Sequence, residues 1–550
     1  MTKRKTEIAI IGAGTAGLSA YGIAKRYSKD IVLINDGHYG TTCARVGCMP
    51  SKVFIQAAND YHRRHMLEKQ GIYGSDRIHI RTEETLRHVR SMRDYFVSFV
   101  LETIETIGDN NIRGRARFIE PDTLQVDDQI IQADKIILAT GSTPFIPEPL
   151  RAIRAKRKNS VITTDELFEL ESLPESFAVI GTGPIGIELG QALHRMGIAT
   201  HIFGRSRTVG GLTDPDIIEY AIQAFQEELP LSYAAELCYE ENNDGIAISW
   251  QEAQQQKCIQ VKAVLAATGR HPSVQGLGLE EIGVPVNQKG VPEFNPETMQ
   301  IADFPIFIAG DVTGMLPVLH EASDEGQIAG WNCTHDAAAF RRRTLLAIAF
   351  SEPNIVRVGK PHRELEKGAY HTGEVLFDSQ GRASIQQYNK GMLHIFGDKN
   401  TGLLLGAEMT APAGEHLGHL LSWAIESRMT VFDALAAPFY HPVVEEGLRT
   451  CLRDLAKKKI RIARDWKSGS NTIRKLLIWI AVSTALLCIR MMLFARHNYC
   501  SVTATPATAS AGITRSVKNS TAAGSVSRIT GTAGSAANMG GAIPAAVIWR

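Results

Sequence analysis

One device occurs twice in this chain and restricts the fold more than any other feature. In the first copy a continuous apolar run, Ile8-Ala9-Ile10-Ile11, opens into Gly12-Ala13-Gly14-Thr15-Ala16-Gly17, then a helical pattern from Ala16 to Tyr27 and a second apolar run at Ile31 to Ile34. About 170 residues later the order repeats: Phe177-Ala178-Val179-Ile180, then Gly181-Thr182-Gly183-Pro184-Ile185-Gly186, a helix to about Met196, and a strand from Thr200 to Phe203. Apolar runs without alternation mark strands buried on both faces, and strands alternating with helices mark a parallel sheet. A single Gly-x-Gly-x-x-Gly is a weak signal. Two, each between a buried strand and a helix, predict two dinucleotide sites on one chain. The glycines are needed because the turn is tight and a diphosphate must approach the backbone where a side chain would block it. The helix behind each loop points its N–H groups and positive dipole end at that diphosphate.

Further strand ends fit the same organisation. Ile137-Leu138-Ala139-Thr140-Gly141 and Ala266-Ala267-Thr268-Gly269-Arg270 each close an apolar strand with a small-residue turn, and Ile306-Phe307-Ile308-Ala309-Gly310 ends in Asp311. Between Arg341 and about Leu455 the pattern becomes mixed, with strands at Ile355 to Val358 and Leu403 to Ala407, a helix from Ala413 to Ser427, and no glycine loop. The expected fold class is therefore α/β, with two Rossmann-like dinucleotide-binding domains followed by an α+β domain.

At 550 residues there is room for three or four domains. A hydrophobic fraction of 44% and a charged fraction of 21% are ordinary for a globular protein, so disorder is not the default. Eight cysteines are too few for a disulfide scaffold, so a close pair points to catalysis or metal binding. The basic start, Met1 to Thr6, leads after only four apolar residues into a glycine loop, which reads as a strand and not a signal peptide; a cytoplasmic body is expected. The net charge of +1 conceals a break: from Arg461 onward there are eleven Lys or Arg and one acid, which leaves −9 on residues 1–460. No nucleic-acid partner is expected. Residues 476–489 are uncharged and mostly apolar, and continuing through Arg490 to Ala495 reaches the length of a membrane span. The last 50 residues contain 32 Ala, Gly, Ser or Thr, a low-complexity composition. Two accounts of this tail stand: a C-terminal membrane anchor through 476–495, or an appendage foreign to the ancestral reading frame.

The chemistry lies about thirty residues after the first glycine loop, beyond the apolar run Ile31 to Ile34. Residues 41–52 read Thr-Thr-Cys-Ala-Arg-Val-Gly-Cys-Met-Pro-Ser-Lys, placing Cys43 and Cys48 five apart. To bridge, their Cα atoms must come within about 7 Å, so a helix there should be irregular in its first turn. A thiolate is the nucleophile, and a helix N-terminus or nearby cation lowers its pKa. Alone, the pair could be two core thiols; beside two nucleotide loops and followed by Pro50-Ser51-Lys52, a redox role is the better reading. Near the end stands His441-Pro442-x-x-x-Glu446, a histidine with a carboxylate to orient it, able to take and return a proton at neutral pH. Cys238, Cys258, Cys333 and Cys451 read most simply as small buried hydrophobes. No metal site is read.

Assembled, residues 5–460 resemble the class I pyridine nucleotide–disulfide oxidoreductases, most of all the dihydrolipoamide dehydrogenase branch. The resemblance implies FAD and a nicotinamide nucleotide, a small dithiol or disulfide substrate, and a homodimer built through the C-terminal domain. It implies that Cys43 is the interchange thiol and Cys48 the flavin-side thiol, that Lys52 sits near the flavin and pairs with Glu188, and that Asp311 holds the ribityl chain. It makes His441, oriented by Glu446, the base for the partner subunit's interchange thiol. The expected cofactor contacts are Gly12, Gly14, Gly17, Asn35, Asp36, Thr140, Gly141, Gly181, Gly183, Gly186, Arg205, Arg207, Gly269, Arg270 and Asp311, with the first loop and Asp311 on FAD and the second loop, Arg205 and Arg207 on the nicotinamide nucleotide. Expected boundaries are 1–150 and 276–338 for the FAD domain, 151–275 for the NAD(P) domain, 339–460 for the dimerisation domain and 461–550 for the tail.

The chain departs from that pattern in informative places. Where an acid normally reads the ribose, the first unit has Asn35 followed by Asp36, and asparagine still bonds a hydroxyl. The second unit has Gly204 there, followed by Arg205 and Arg207, which favours a 2′-phosphate and hence NADPH over NADH; the bland alternative is a solvated loop. NADPH conflicts with a plain lipoamide dehydrogenase. Glutathione reductases use NADPH, but their motif typically ends Pro-Lys-Lys. Mercuric reductases share Pro-Ser-Lys but typically add a vicinal Cys-Cys near the C-terminus, which this sequence lacks. Two alternatives therefore stay open: an NADPH-dependent reductase of another small disulfide, and a non-catalytic, membrane-tethered flavin-binding protein. The intact set Cys43, Cys48 and His441 argues against the second.

Overall fold

Strand order follows from the apolar runs. In the computed structural model, which describes residues 2–157 and 159–458, the fully buried segment Ile8–Ile11 sits in the middle of a seven-stranded sheet. Thr2–Ile11 pairs in parallel with Ile31–Asn35 on one side and Gln129–Leu138 on the other, and Asn111–Arg113 and Ile306–Ile308 extend the parallel part outward. The other half of Gln129–Leu138 turns into an antiparallel meander with Thr123–Val126 and Ala116–Glu120. The first strand begins six residues before the apolar run: Thr2 to Glu7 are mostly exposed and carry three basic residues, yet they ladder onto Gln129–Ala133. Side-chain pattern cannot announce a stretch held only by backbone pairing. The helix behind the loop is also shorter than its pattern, Thr15–Ala24.

The second unit is a five-stranded parallel sheet ordered Leu231–Tyr233, Ala199–Gly204, Ser176–Ile180, Ala263–Ala266, Val161–Thr163. A three-stranded antiparallel sheet, Cys238–Asn242, Gly245–Glu252 and Gln255–Val261, follows. There the expectation for two cysteines fails. Cys238 and Cys258 both pair with Ser249, on the face opposite buried Ile246, Ile248 and Trp250, so both are exposed. Cys333 and Cys451 are buried, as expected.

The C-terminal part is a five-stranded antiparallel sheet, Leu346–Ala349, Asn354–Gly359, Leu404–Ala411, Met392–Asp398 and Tyr370–Leu376, with helices Gly414–Glu426 and Glu446–Lys457 packed on it.

One hydrophobic cluster positions the site. Phe54 of the helix Cys48–His62 is fully buried against a core that includes Phe168, Phe177, Ile187 and Ile355, drawn from both nucleotide units and the C-terminal sheet. Each such side chain contributes about 1.5–3 kcal/mol by burial, enough to fix the thiol-bearing helix against the helix Pro184–Arg195. The tail 461–550, with the segment 476–495, lies outside the described residues. Among the described residues no helix is long and apolar enough to cross a membrane.

Candidate active site

The backbone around the thiols is bent to suit them. Thr41 holds φ +60°, an unfavourable conformation for a β-branched residue, and its Oγ1 accepts from Ala44 N at 3.1 Å to start a short helix, Thr42–Arg45. The chain then breaks at Val46 and Gly47 before the long helix Cys48–His62 begins, so the helix is irregular where the cysteine spacing required it. A Cβ on Gly47 would lie 3.0 Å from the Thr42 carbonyl oxygen and 3.3 Å from Cys43 Cα. Glycine lets the two segments close together there.

Cys48 is the first residue of the long helix, and Cys43 is half-buried behind it; both are free thiols. Their environments push them apart. Cys48 is lowered to about 7, first because the Cys43 thiol donates to its sulfur and further because Lys52 lies close. Cys43 is raised well above an ordinary thiol by the same hydrogen bond and by burial. In the dithiol form the charge therefore sits on Cys48, while Cys43 keeps its proton until a base takes it.

One turn along the helix, Lys52 Nζ donates to Glu188 Oε2 at 2.8 Å. Glu188 is buried, and its other oxygen accepts from Phe350 N at 2.7 Å. The Phe350 ring lies 4.7 Å from the same ammonium, a cation–π contact. Nothing in the sequence flags Phe350, since it contributes through its backbone N–H and a ring just past the strand Leu346–Ala349.

His441 Nδ1 and Glu446 Oε2 are 2.9 Å apart, and Glu446 also accepts from Arg449 at 2.6 Å. With the carboxylate on Nδ1, Nε2 is left as the basic nitrogen. The His441 side chain is 80% exposed and its bonded partner is Glu446, not a cysteine of its own chain.

The two glycine loops have the same anatomy. A Cβ on Gly12 (φ +112°) would lie 2.2 Å from the Ala139 carbonyl oxygen, and one on Gly181 (φ +122°) equally close to that of Ala267. The third glycines are also closed: a Cβ on Gly17 or Gly186 would come within about 2 Å of the first glycine's carbonyl oxygen. The middle glycines, Gly14 and Gly183, face open space. Two backbones closed on one side and open on the other fit two diphosphates, so the residues suit FAD and a nicotinamide nucleotide.

Around the loops the remaining residues are placed as follows. Asn35 Oδ1 accepts from Ala13 N at 3.2 Å, bracing the first loop, and Asp36 is exposed. Thr140 donates to the Ser273 carbonyl at 2.7 Å, and Gly141 and Gly269 hold positive φ with open space beside them. Asp311 accepts from Ser142 Oγ at 2.7 Å, Ser142 accepts from Arg270, and Arg270 reaches Asp165 at 2.8 Å. The Arg270 guanidinium is thus engaged by Asp165 and Ser142, and Ser142, which the sequence did not mark, joins it to Asp311. Glu325, equally unmarked, accepts from Gly310 N at 2.8 Å and is raised to about 7 by burial. Arg205 is exposed, whereas Arg207 forms a two-pronged pair with Glu219 at 2.6 and 3.0 Å.

Comparison with known proteins agrees with this arrangement. Residues 6–326 match the family described as pyridine nucleotide-disulphide oxidoreductase, and residues 346–452 match its dimerisation domain. The chain is 29% identical over 456 residues to a mercuric reductase of Staphylococcus aureus, covering 80% of this chain and 81% of that protein. It is 28% identical over 466 residues to a dihydrolipoyl dehydrogenase of Thermus scotoductus, covering 83% and 98%. In fold it resembles the HOCl-induced flavoprotein disulfide reductase RclA of Escherichia coli, with TM-score 0.70 at 21% identity over 82% of this chain and 99% of that one.

Proposed function

This chain belongs to the pyridine nucleotide-disulphide oxidoreductases, and from that premise we propose that it is an NADPH-dependent reductase of a small disulfide, built on a dihydrolipoamide dehydrogenase-like frame and working as a homodimer. The observation that carries the reading is the divided thiol pair, Cys48 lowered and Cys43 raised, beside the Lys52–Glu188 ion pair. We assign residues 1–150 and 276–338 to FAD, 151–275 to the nicotinamide nucleotide and 339–460 to dimerisation.

The residues then divide the work. The His441 imidazole of one subunit takes the proton that Cys43 of the other retains, and the Cys43 thiolate attacks one sulfur of the substrate. A mixed disulfide forms, and the first substrate thiolate leaves with a proton from His441. Cys48 then attacks the Cys43 sulfur, closing the Cys43–Cys48 disulfide; the second substrate thiolate departs and is protonated. FAD, when bound, supplies the electron pair from the nicotinamide that restores the dithiol. Glu188 and Phe350 hold the Lys52 ammonium where it favours negative charge on Cys48.

A second reading runs the electrons the other way, from dihydrolipoamide to NAD. The Pro50-Ser51-Lys52 motif and the similarity to dihydrolipoyl dehydrogenases favour it. Steady-state turnover of lipoamide and of glutathione disulfide, each with NADH and NADPH, decides between them. NADPH is expected to give the higher kcat/KM, and Arg205→Ala to raise KM for NADPH about tenfold with little change for NADH, as loss of one charge-assisted phosphate contact would. Arg207→Ala should do less, because that guanidinium is already paired with Glu219. A wild type that prefers NADH would favour the dehydrogenase direction.

A further inference from the structure

In the second nucleotide unit the position of the missing acid is sterically closed. Gly204 ends its strand and faces Tyr233 across the parallel ladder. A Cβ at 204 would come within 2.6 Å of Cδ1 and Cε1 of the Tyr233 ring and 2.9 Å of Thr182 Cγ2. Non-bonded carbons settle at about 3.5–4.0 Å. The ring is held in place: its hydroxyl donates to the Thr208 carbonyl at 3.2 Å, and it packs against the large hydrophobic cluster. The Arg207 guanidinium carbon lies 5.8 Å from the ring centroid.

We infer that Tyr233 is a specificity-determining residue: its ring fills the space that an acidic side chain at position 204 would need, closing the site to recognition through a ribose 2′-hydroxyl and leaving the exposed Arg205 for a 2′-phosphate. The inference deepens the NADPH reading above and rests on it. Tyr233 acts by exclusion. A carboxylate beside the ribose would repel a 2′-phosphate and accept from a 2′-hydroxyl, so blocking it biases the site in one direction. Arg205 supplies the attraction, as guanidinium groups do for phosphate.

Four full-length, flavin-loaded proteins test this: wild type, Gly204→Glu, Tyr233→Ala and the double variant. NADH and NADPH kinetics are read with an artificial electron acceptor that bypasses the thiols, and Tm is recorded for each. Gly204→Glu alone should melt lower and lose about tenfold or more in kcat/KM with either nucleotide, while the double variant should recover NADH use about tenfold over Gly204→Glu and remain poor with NADPH, a non-additive result. If Gly204→Glu alone used NADH as well as the double variant does, the ring would not be the obstacle and the inference would be overturned. If Gly204→Glu does not fold, Gly204→Ala in both backgrounds asks the same question through Tm: Tyr233→Ala must restore what the added methyl group costs, and failure to restore it overturns the inference. A wild type that prefers NADH would defeat the coenzyme reading, whereas the comparison of single and double variants still decides the steric claim.

Discussion

Serine at position 43 or 48 is expected to lower disulfide turnover by about a thousandfold or more, since each removes a nucleophile that no other group replaces. The two variants should nevertheless differ. Cys48 is the thiol lowered to about 7, by the hydrogen bond from Cys43 and then by Lys52. Cys43→Ser should therefore keep the long-wavelength absorbance of a thiolate beside the bound flavin, and Cys48→Ser should lose it. In wild type that absorbance should fade as pH falls through about 7, because protonation removes the thiolate. Lys52→Met should move the fading to higher pH, since loss of the ammonium makes the thiol harder to ionise. Wild-type activity in both serine variants would refute the assignment.

Two inactive homodimers are expected to make one active mixture. His441 is 80% exposed and bonded to Glu446, while Cys43 retains its proton and needs a base. If that base comes across a two-fold interface, Cys43→Ser and His441→Ala subunits each assemble dead dimers. A heterodimer of the two contains one intact site, with Cys43 from one subunit and His441 from the other. Random pairing at equal amounts should thus return about a quarter of wild-type activity. Pairing within a subunit would leave no intact site in any dimer and no recovery at all. Measuring turnover of co-expressed, differentially tagged subunits against both homodimers separates these results.

What could be read from the sequence was what steric necessity writes there. The glycines at 12, 17, 181 and 186 sit where a Cβ would meet a carbonyl oxygen, so no other residue fits and the loops declare themselves. The Cys43 to Lys52 stretch is similarly compressed, because the thiols, the glycine that lets them close together and the lysine occupy consecutive turns. Contacts between distant segments were legible only where resemblance supplied them. Lys52 and Glu188 lie 136 residues apart, and nothing in either neighbourhood implies the other. Phe350, Ser142 and Glu325 escaped notice because each bonds a residue on another segment, Glu188, Asp311 and Gly310 respectively, and nothing local implies the partner. Arg207 was legible as a charge but not as a member of a pair, since Glu219 is on the following helix. Cys238 and Cys258 were misjudged because composition says how buried a cysteine usually is, whereas strand register decides which face it takes.

The central claim is that Cys43 and Cys48 cycle between disulfide and dithiol in step with the nicotinamide nucleotide. It is tested most directly by trapping thiols with an alkylating reagent, under denaturing conditions and without oxygen, before and after one equivalent of NADPH, and locating the label by peptide mass. The account predicts that Cys43 and Cys48 are unlabelled and joined before reduction, that both carry label afterwards, and that Cys238, Cys258, Cys333 and Cys451 label alike in both samples. Equal labelling of Cys43 and Cys48 before and after reduction would contradict it.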